Sequence, residues 1–363
     1  MTFLAAPNPF KGTLSAPLVA AAMARGVKRA RPGARVRRRA MADGGEGTLE
    51  ALVSCLHGRY VACEVRNPLG ETVRARFGLV AETLAVVEMA QACGVATLAR
   101  ERWDPAVASS FGLGQLLEAA RLAGARRILV AVGGSITNDG GAGMAQALGV
   151  RLAAADGRDL PPGGLALGHL ARIESGSLSP AWKEVEVEVA VDVLNPLTGP
   201  RGASLQFSAQ KGAGPRLQAQ LEAAMIHYQS VIGEEVGALA GAGAAGGVGA
   251  GLVRFLGARL TPGAALVADT VALDRAISGC ELVITGEGRL DVQTLEGKGP
   301  LEVARRAVRQ GVPVLMVAGS IGPGGEQILK DSVERIVTLD QAPAFTARTT
   351  ARAIEEAVCR ALS

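Results

Sequence analysis

The chain is poor in several residues on which common chemistries depend. Aromatic residues make up 3% of its 363 positions, and Trp103, Trp182, Tyr60 and Tyr228 are its only tryptophans and tyrosines. So few stacking platforms suit single-stranded nucleic acid badly. The three histidines, His57, His169 and His227, fall outside every glycine-rich loop, which argues against histidine-based hydrolase or dehydrogenase chemistry. The five cysteines are scattered, odd in number and without metal-ligand spacing, a pattern that fits reduced thiols in a cytoplasm. Long apolar runs are also missing. The stretch 241–253 is mostly Gly and Ala and stops at Arg254, too short and too weakly hydrophobic to span a bilayer. Met1-Thr2-Phe3-Leu4-Ala5 carries neither the basic region nor the apolar run of a signal peptide. The expectation is a cytoplasmic protein with no membrane and no nucleic-acid partner.

What is present is a globular composition, 48% hydrophobic and 20% charged, long enough for two domains. The net charge of +4 is modest, and the run Arg35–Arg39 reads as the exposed face of a strand. Four times an apolar strand runs into a glycine-rich polar loop and then into an amphipathic helix. The first has a strand at 2–6, the loop "PNPFKGT" and a helix capped by Ser15 with Pro17 in its first turn. The second has a strand near 35–41, the loop "ADGGEGT" and a helix carrying Leu49, Leu52, Val53 and Leu56. The third is a strand at 127–132, "GGSITNDGGAG" and a helix from about 141, and the fourth is "LVITGEGRLDVQTLEGKGP" at 282–300. Strands alternating with helices make parallel α/β sheets, and ligands sit beyond the carboxyl ends of those strands.

The C-terminal third keeps the alternation, with helix 269–279, strand 281–285, helix 300–310, strand 313–318, helix 323–330, strand 334–339 and helix 346–361. With the two N-terminal strands this makes five parallel strands. The middle differs: a β-hairpin turns at Pro68-Leu69-Gly70, "VEVEVAVDV" alternates as a strand, and a long helix runs near 214–237. The expected organisation is one domain from 1–64 and 261–363, interrupted by an inserted α/β domain from 65–260, with a cleft between them.

Lysine usage points to the ligand. Six of the 38 basic residues are lysine, and Lys11, Lys211 and Lys298 each precede a glycine in a glycine-rich loop. A compact ammonium beside backbone N–H groups at a helix N-terminus suits phosphate better than a wide guanidinium fork does. Asp43, Glu46, Asn138, Asp139, Asp192, Glu287 and Asp291 lie in or beside the same loops. Carboxylates next to phosphate-binding lysines commonly hold magnesium or accept a proton. Each also has a plainer role open to it, Asp139 as a helix cap, Glu287 as an acceptor for loop amides, Asp192 as a turn brace. Walker A is absent, and Gly241-Ala242-Gly243-Ala244-Ala245-Gly246 follows a helical segment where a dinucleotide site needs a strand.

Five ordered segments, "PNPFKGTLSA", "MADGGEGTLEAL", "GGSITNDGGAGMAQALG", "NPLTGPRGAS…FSAQKGA" and "VITGEGRLDVQTLEGKGP", resemble the signature segments of bacterial glycerate kinases of the type that makes 2-phosphoglycerate. The resemblance runs from residue 7 to about residue 320. It departs at Leu194, where the family usually has a polar residue, and at Ser208-Ala209 in place of Gly-Pro. It implies a flavodoxin-like domain interrupted by a restriction-endonuclease-like one, with ATP and Mg²⁺ as cosubstrates and D-glycerate as acceptor; a homodimer stays open. A kinase of another small hydroxy acid and a non-catalytic phosphometabolite-binding regulator are the alternatives.

On chemical grounds Lys11, Lys211 and Lys298 are assigned to phosphates, Arg289 to the acceptor's carboxylate and Asp192 to the base. Asp43 is a metal ligand or alternative base, and Asp291 a second metal ligand. Gly44, Gly45 and Gly286 let the backbone approach the ligand, with Thr13, Ser135, Asn138, Asp139 and Glu287 as further contacts. Lys298→Ala is expected to lower kcat/KM by about 30- to 1000-fold, the loss of one phosphate contact in the transition state. Lys298→Arg should recover part of it, and full recovery in steady-state assays would overturn the compact-cation argument.

Overall fold

The structure is a computed structural model that describes residues 1–291, 299–325, 333–339 and 346–363. The chain divides into two compact units. Met1–Asp43, Gly47–Gly58 and Gly263–Ser363 form the first, and Gly44–Glu46 with Arg59–Pro262 form the second. In chain order the strands are β1 (Thr2–Ala5), β2 (Arg35–Arg38), β3 (Arg59–Arg66), β4 (Thr72–Leu79), β5 (Leu84–Glu88), β6 (Arg127–Ala131), β7 (Arg151–Ala154), β8 (Leu170–Glu174), β9 (Glu186–Val191), β10 (Arg259–Pro262), β11 (Leu282–Leu290), β12 (Val314–Ile321) and β13 (Arg335–Thr338).

In the first unit five parallel strands run in the order β13-β12-β11-β1-β2. Renumbered within the unit this is 2-1-3-4-5, a doubly wound order whose direction reverses between β1 and β11. The helix Ala16–Ala30 has Pro17 in its first turn, where a missing N–H costs nothing. Ser15 holds the N-cap position but its side chain makes no capping bond. The last helix, Ala347–Leu362, starts with a capping box in which Thr346 and Thr349 each bond the other's backbone amide. These two helices share an apolar cluster with Phe3, Ala5, Ile284, Leu315 and Val317 on one face of the sheet. Strand alternation sends the buried Leu4, Val283 and Met316 to the other face.

In the second unit β10-β9-β6-β5 are parallel and β4 and β3 join them antiparallel, giving a six-stranded mixed sheet beside the hairpin β7-β8. The turn between β3 and β4 is held by Asn67, whose Oδ1 accepts from Leu69 N and Glu71 N, both at 3.0 Å. Its core gathers Phe77, Val87, Leu116, Leu117, Val130 and Tyr228.

Two of the expected helices are broken. The one expected over 214–237 stops at Ile232, where Gly233 takes φ +116°, and resumes as Glu234–Gly237. That expected over 269–279 is two pieces, Gly263–Thr270 and Leu273–Ile277, on either side of Ala272 at φ +50°. Of the helix expected at 323–330, residues 326–330 lie outside the described residues.

Gly26 marks the closest approach of the helices Ala16–Ala30 and Ala347–Leu362. A Cβ there would lie 2.6 Å from Glu355 O and 2.8 Å from Val358 Cβ. Gly26→Ala would gain about 1 kcal/mol of helix propensity, but overpacking against backbone costs about 1–3 kcal/mol. The variant is therefore expected to unfold at lower urea concentration than the parent, whereas Gly→Ala at an open helical site raises stability.

Candidate functional site

The first unit carries a cavity of ≈ 460 Å³ whose lining includes Lys11, Thr13, Glu287, Arg289, Asp291 and Thr350. It lies where the order of the sheet reverses, with walls from the loop that follows β1 and from the ends of β11 and β12. Strand β11 runs on to Leu290 and so carries Glu287 and Arg289 on a strand rather than in the expected loop. The first loop leaves the sheet through Asn8 N, which donates to Gly286 O at 2.9 Å, and turns back where Phe10 and Leu14 exchange backbone bonds of 2.9 Å. Phe10 is buried and anchors this turn, Thr13 Oγ1 donates to Phe10 O at 2.9 Å, and Gly12 takes φ +78°. The exposed Lys11 therefore stands on a braced turn. Arg289 Nε lies 3.5 Å from Asp291 Oδ2, and Glu287 is 9% exposed.

Thr350 was not anticipated. It is 1% exposed and its hydroxyl has no hydrogen-bond partner among the described residues, yet it lines this cavity. A signal existed: Thr350, Ile354, Ala357 and Val358 form one buried helical stripe, and Thr350 is its polar member. Asn8, 2% exposed with Oδ1 unpartnered against Gly299, was also passed over. Lys298 lies outside the described residues.

The second unit carries a cavity of ≈ 330 Å³ beyond the ends of β6 and β9, lined among others by Gly134, Ser135, Asp192, Phe207, Gln210 and Lys211. Lys211 closes a short turn, Ala209–Lys211, that Gly212 ends at φ +105°. Its side chain is 3% exposed, and its Nζ donates to Thr137 O at 2.7 Å and to Ser135 Oγ at 3.4 Å. Burial pulls its pKa down to about 8, against the opposing attraction of Asp139. The loop bearing Ser135 is tied down by Val95 N to Gly134 O at 3.1 Å and Ile136 N to Cys93 O at 3.1 Å.

Several expectations need correction. Asp139 is 0% exposed and does not line the cavity. Its carboxylate accepts from Ser110 N (2.7 Å), Ser110 Oγ (2.9 Å), Gly143 N (3.2 Å) and Gly141 N (3.3 Å), the helix-cap role. Asn138 is likewise buried, donating to Ser204 Oγ at 3.0 Å. Asp192 is exposed at the end of β9, so the cost of burying a carboxylate says nothing about its role, although it does line the cavity. Gly286 serves strand packing, since a Cβ there would sit 1.9 Å from Val317 O. Gly44, at φ +92°, would meet Ala190 O at 2.7 Å, and a Cβ on Gly133 would meet Gly45 Cα at 2.6 Å. These glycines permit backbone-on-backbone contact within the second unit. Asp43 is 7% exposed and lines neither cavity. Among the described residues no group of three His, Cys, Asp or Glu is arranged to hold a metal by protein ligands alone. Of the two departures, Leu194 is 72% exposed and Ser208 is buried with an unpartnered hydroxyl.

The model of the glycerate kinase family matches residues 3–361. A protein named glycerate kinase from Halalkalibacterium halodurans is 42% identical over 353 residues, covering 94% of this chain and 93% of that one. The glycerate 2-kinase of Escherichia coli K12 is 42% identical over 326 residues, covering 88% and 86%. A crystal structure of a protein provisionally assigned as glycerate kinase 2 from Salmonella typhimurium LT2 superposes with a TM-score of 0.91 at 39% identity, covering 100% of this chain and 97% of that one.

Lys211 yields a pH prediction. Its folded-state pKa of about 8 lies below the ordinary 10.5, so the unfolded chain binds more protons between those values. Folding stability from this group therefore rises with pH through that window and is lost as pH falls to 8. At about 1.4 kcal/mol per pKa unit the whole effect is about 3 kcal/mol. Lys211→Met removes it, so the stability of the parent relative to the variant should increase between pH 8 and 10.5 in denaturant titrations.

Proposed function

The chain belongs to the glycerate kinase family and is a kinase of that kind, and from that premise we propose that it uses ATP with Mg²⁺ to phosphorylate the 2-hydroxyl of D-glycerate. The observation that carries this reading is the cavity at the reversal point of the first sheet. It combines Lys11, the carboxylates Glu287 and Asp291, and the orphaned Thr350 hydroxyl. A lysine on a glycine turn and a buried hydroxyl lacking a partner both suit phosphate oxygens. The name of the Escherichia coli relative favours the 2-position. The first unit is read as flavodoxin-like from its strand order, and the second as restriction-endonuclease-like. A cytoplasmic setting agrees with five free cysteines. Among the described residues no helix is long and apolar enough to cross a membrane.

Magnesium fits the donors present. It favours hard oxygen ligands and commonly takes one or two carboxylates, with phosphate and water oxygens completing the shell. Asp291 and Glu287 would hold it. Bound there, it would neutralise charge on the terminal phosphates. The acceptor's hydroxyl oxygen forms a new bond to the γ-phosphorus as the bond from that phosphorus to the bridging oxygen breaks, and ADP leaves with the electron pair. The hydroxyl proton passes to the carboxylate of Asp192, or of Asp43 should Asp192 serve only as a brace. Lys11, together with Lys298, balances the charge on the transferring group.

The test is ³¹P and ¹³C NMR of the product formed from D-glycerate, ATP and Mg²⁺, beside L-glycerate, glycolate and tartronate. Phosphorus coupling to C2 of D-glycerate is expected, with turnover lost on chelation. Coupling centred on C3 would overturn the position, and faster turnover of another acid would overturn the acceptor.

A further inference from the structure

Lys211 is a buried cation that makes no ion pair among the described residues, although Asp139 acts on it at longer range. Among the described residues its ammonium forms hydrogen bonds to a carbonyl and a hydroxyl, Thr137 O and Ser135 Oγ, and pairs with no carboxylate. Arg306 shows what a structural buried cation looks like in this protein. It is 7% exposed and bonds Asp269, Asp274 and Glu302 at 2.6–2.7 Å. A buried charge left without such compensation is costly, and the cost is tolerated where a ligand supplies the counter-charge.

The donors left over have a definite form. An ammonium has three N–H donors, and Lys211 spends two within the protein, which leaves one. The Ser135 hydroxyl accepts from Lys211 and so keeps its own proton for donation outward. One N–H and one O–H on neighbouring atoms can serve the two oxygens of a carboxylate. Among the described residues, the charged side chains lining this cavity are Lys211 and Asp192, one of each sign. A triphosphate carries about four negative charges and would meet one cation among the described residues here, whereas a monoanionic acid is matched by it. The remaining carboxylate, Asp192, lines the same cavity and has the chemistry of a base for the acid's hydroxyl. Arg289, assigned to the acceptor's carboxylate on sequence grounds, is 63% exposed and already paired with Asp291.

We propose that Lys211 and Ser135 seat the carboxylate of the acceptor in the cavity of the second unit, which makes Lys211 a determinant of specificity for hydroxy acids over neutral polyols. This rests on the glycerate kinase reading and assigns one substrate of that reaction to one cavity. ATP phosphates are left to the first unit. Asp192 then shares a cavity with the hydroxyl it is to deprotonate.

Steady-state kinetics with each substrate varied, together with calorimetric binding of D-glycerate to the resting protein, provide the test. Lys211→Met is expected to raise KM for D-glycerate by about 10²- to 10³-fold and to abolish calorimetric binding, while KM for ATP stays within about threefold. Ser135→Ala should raise the same constant by about 5- to 20-fold, and it decides the matter if Lys211→Met does not fold. In the parent, KM for D-glycerate should climb as pH passes about 8, where the ammonium loses its proton, and Lys211→Met should lack that limb. A rise in KM for ATP with D-glycerate binding unchanged would hand Lys211 to the phosphates and overturn the proposal. Absence of turnover by the parent would instead remove the glycerate kinase reading on which it rests.

Discussion

The parallel pairing of β1 with β11 is the constraint on which the first unit depends. It sets Phe3 beside Leu282 and Ala5 beside Ile284. Past the last rung, Ala6 N still donates to Ile284 O at 2.8 Å, Asn8 N to Gly286 O at 2.9 Å, and Thr285 Oγ1 to Ala6 O at 2.8 Å. The loop after β1 therefore runs along the carboxyl-end half of β11, a segment far away in the chain. Closing so long a loop costs little more than closing a shorter one, because the entropy grows only with the logarithm of length. Burial of both faces of the ladder offsets that cost. The cavity that collects Lys11, Thr13, Glu287 and Asp291 is a consequence of this register.

In the second unit the corresponding constraint is electrostatic. Asp139 is surrounded by four donors from Ser110 and the start of the following helix, and desolvation pushes its pKa up while those bonds resist. Its negative charge is what keeps the Lys211 pKa from falling further. Tyr228, fully buried, donates to Gly140 O at 3.1 Å and closes the other side of the same loop. The loop of residues 133–141 is thus held by side chains that do not line the cavity, and its outer end presents Ser135 to it. The contrast between Arg306 and Lys211 separates the two uses of a buried cation: the first is neutralised by the fold, the second is left for a ligand.

Part of the lining of the two cavities was legible because charge and glycine gather at strand ends. Lys11, Lys211, Glu287 and Asp291 were found that way, and all four line a cavity. The same signal overcounted. At Gly44 and Gly286 another backbone passes too close for a Cβ, a contact made by partners distant in the chain. Asp139 and Asn138 share the composition of a ligand loop but face inward to brace it. Thr350 went unread because one hydroxyl in a helical stripe has no meaning until the cavity beside it is known. The helix breaks at Gly233 and Ala272 were missed for a related reason: periodicity on both sides of a break continues through it.

By itself the sequence determined the alternation of strand, loop and helix, and with it a parallel α/β sheet whose ligand loops lie at one edge. Hydrophobic period and turn chemistry are local properties, and a local reading suffices for them. Its ordered segments also determined the family. Only the tertiary structure decided which charges share a cavity. It put Lys211, Ser135 and Asp192 together and Lys11, Glu287, Arg289 and Asp291 together. It also decided which charge is compensated, because compensation depends on what distant elements bring within hydrogen-bonding distance. Three lysines in three glycine-rich loops look alike along the chain; burial to 3% exposure distinguishes Lys211 from the exposed Lys11.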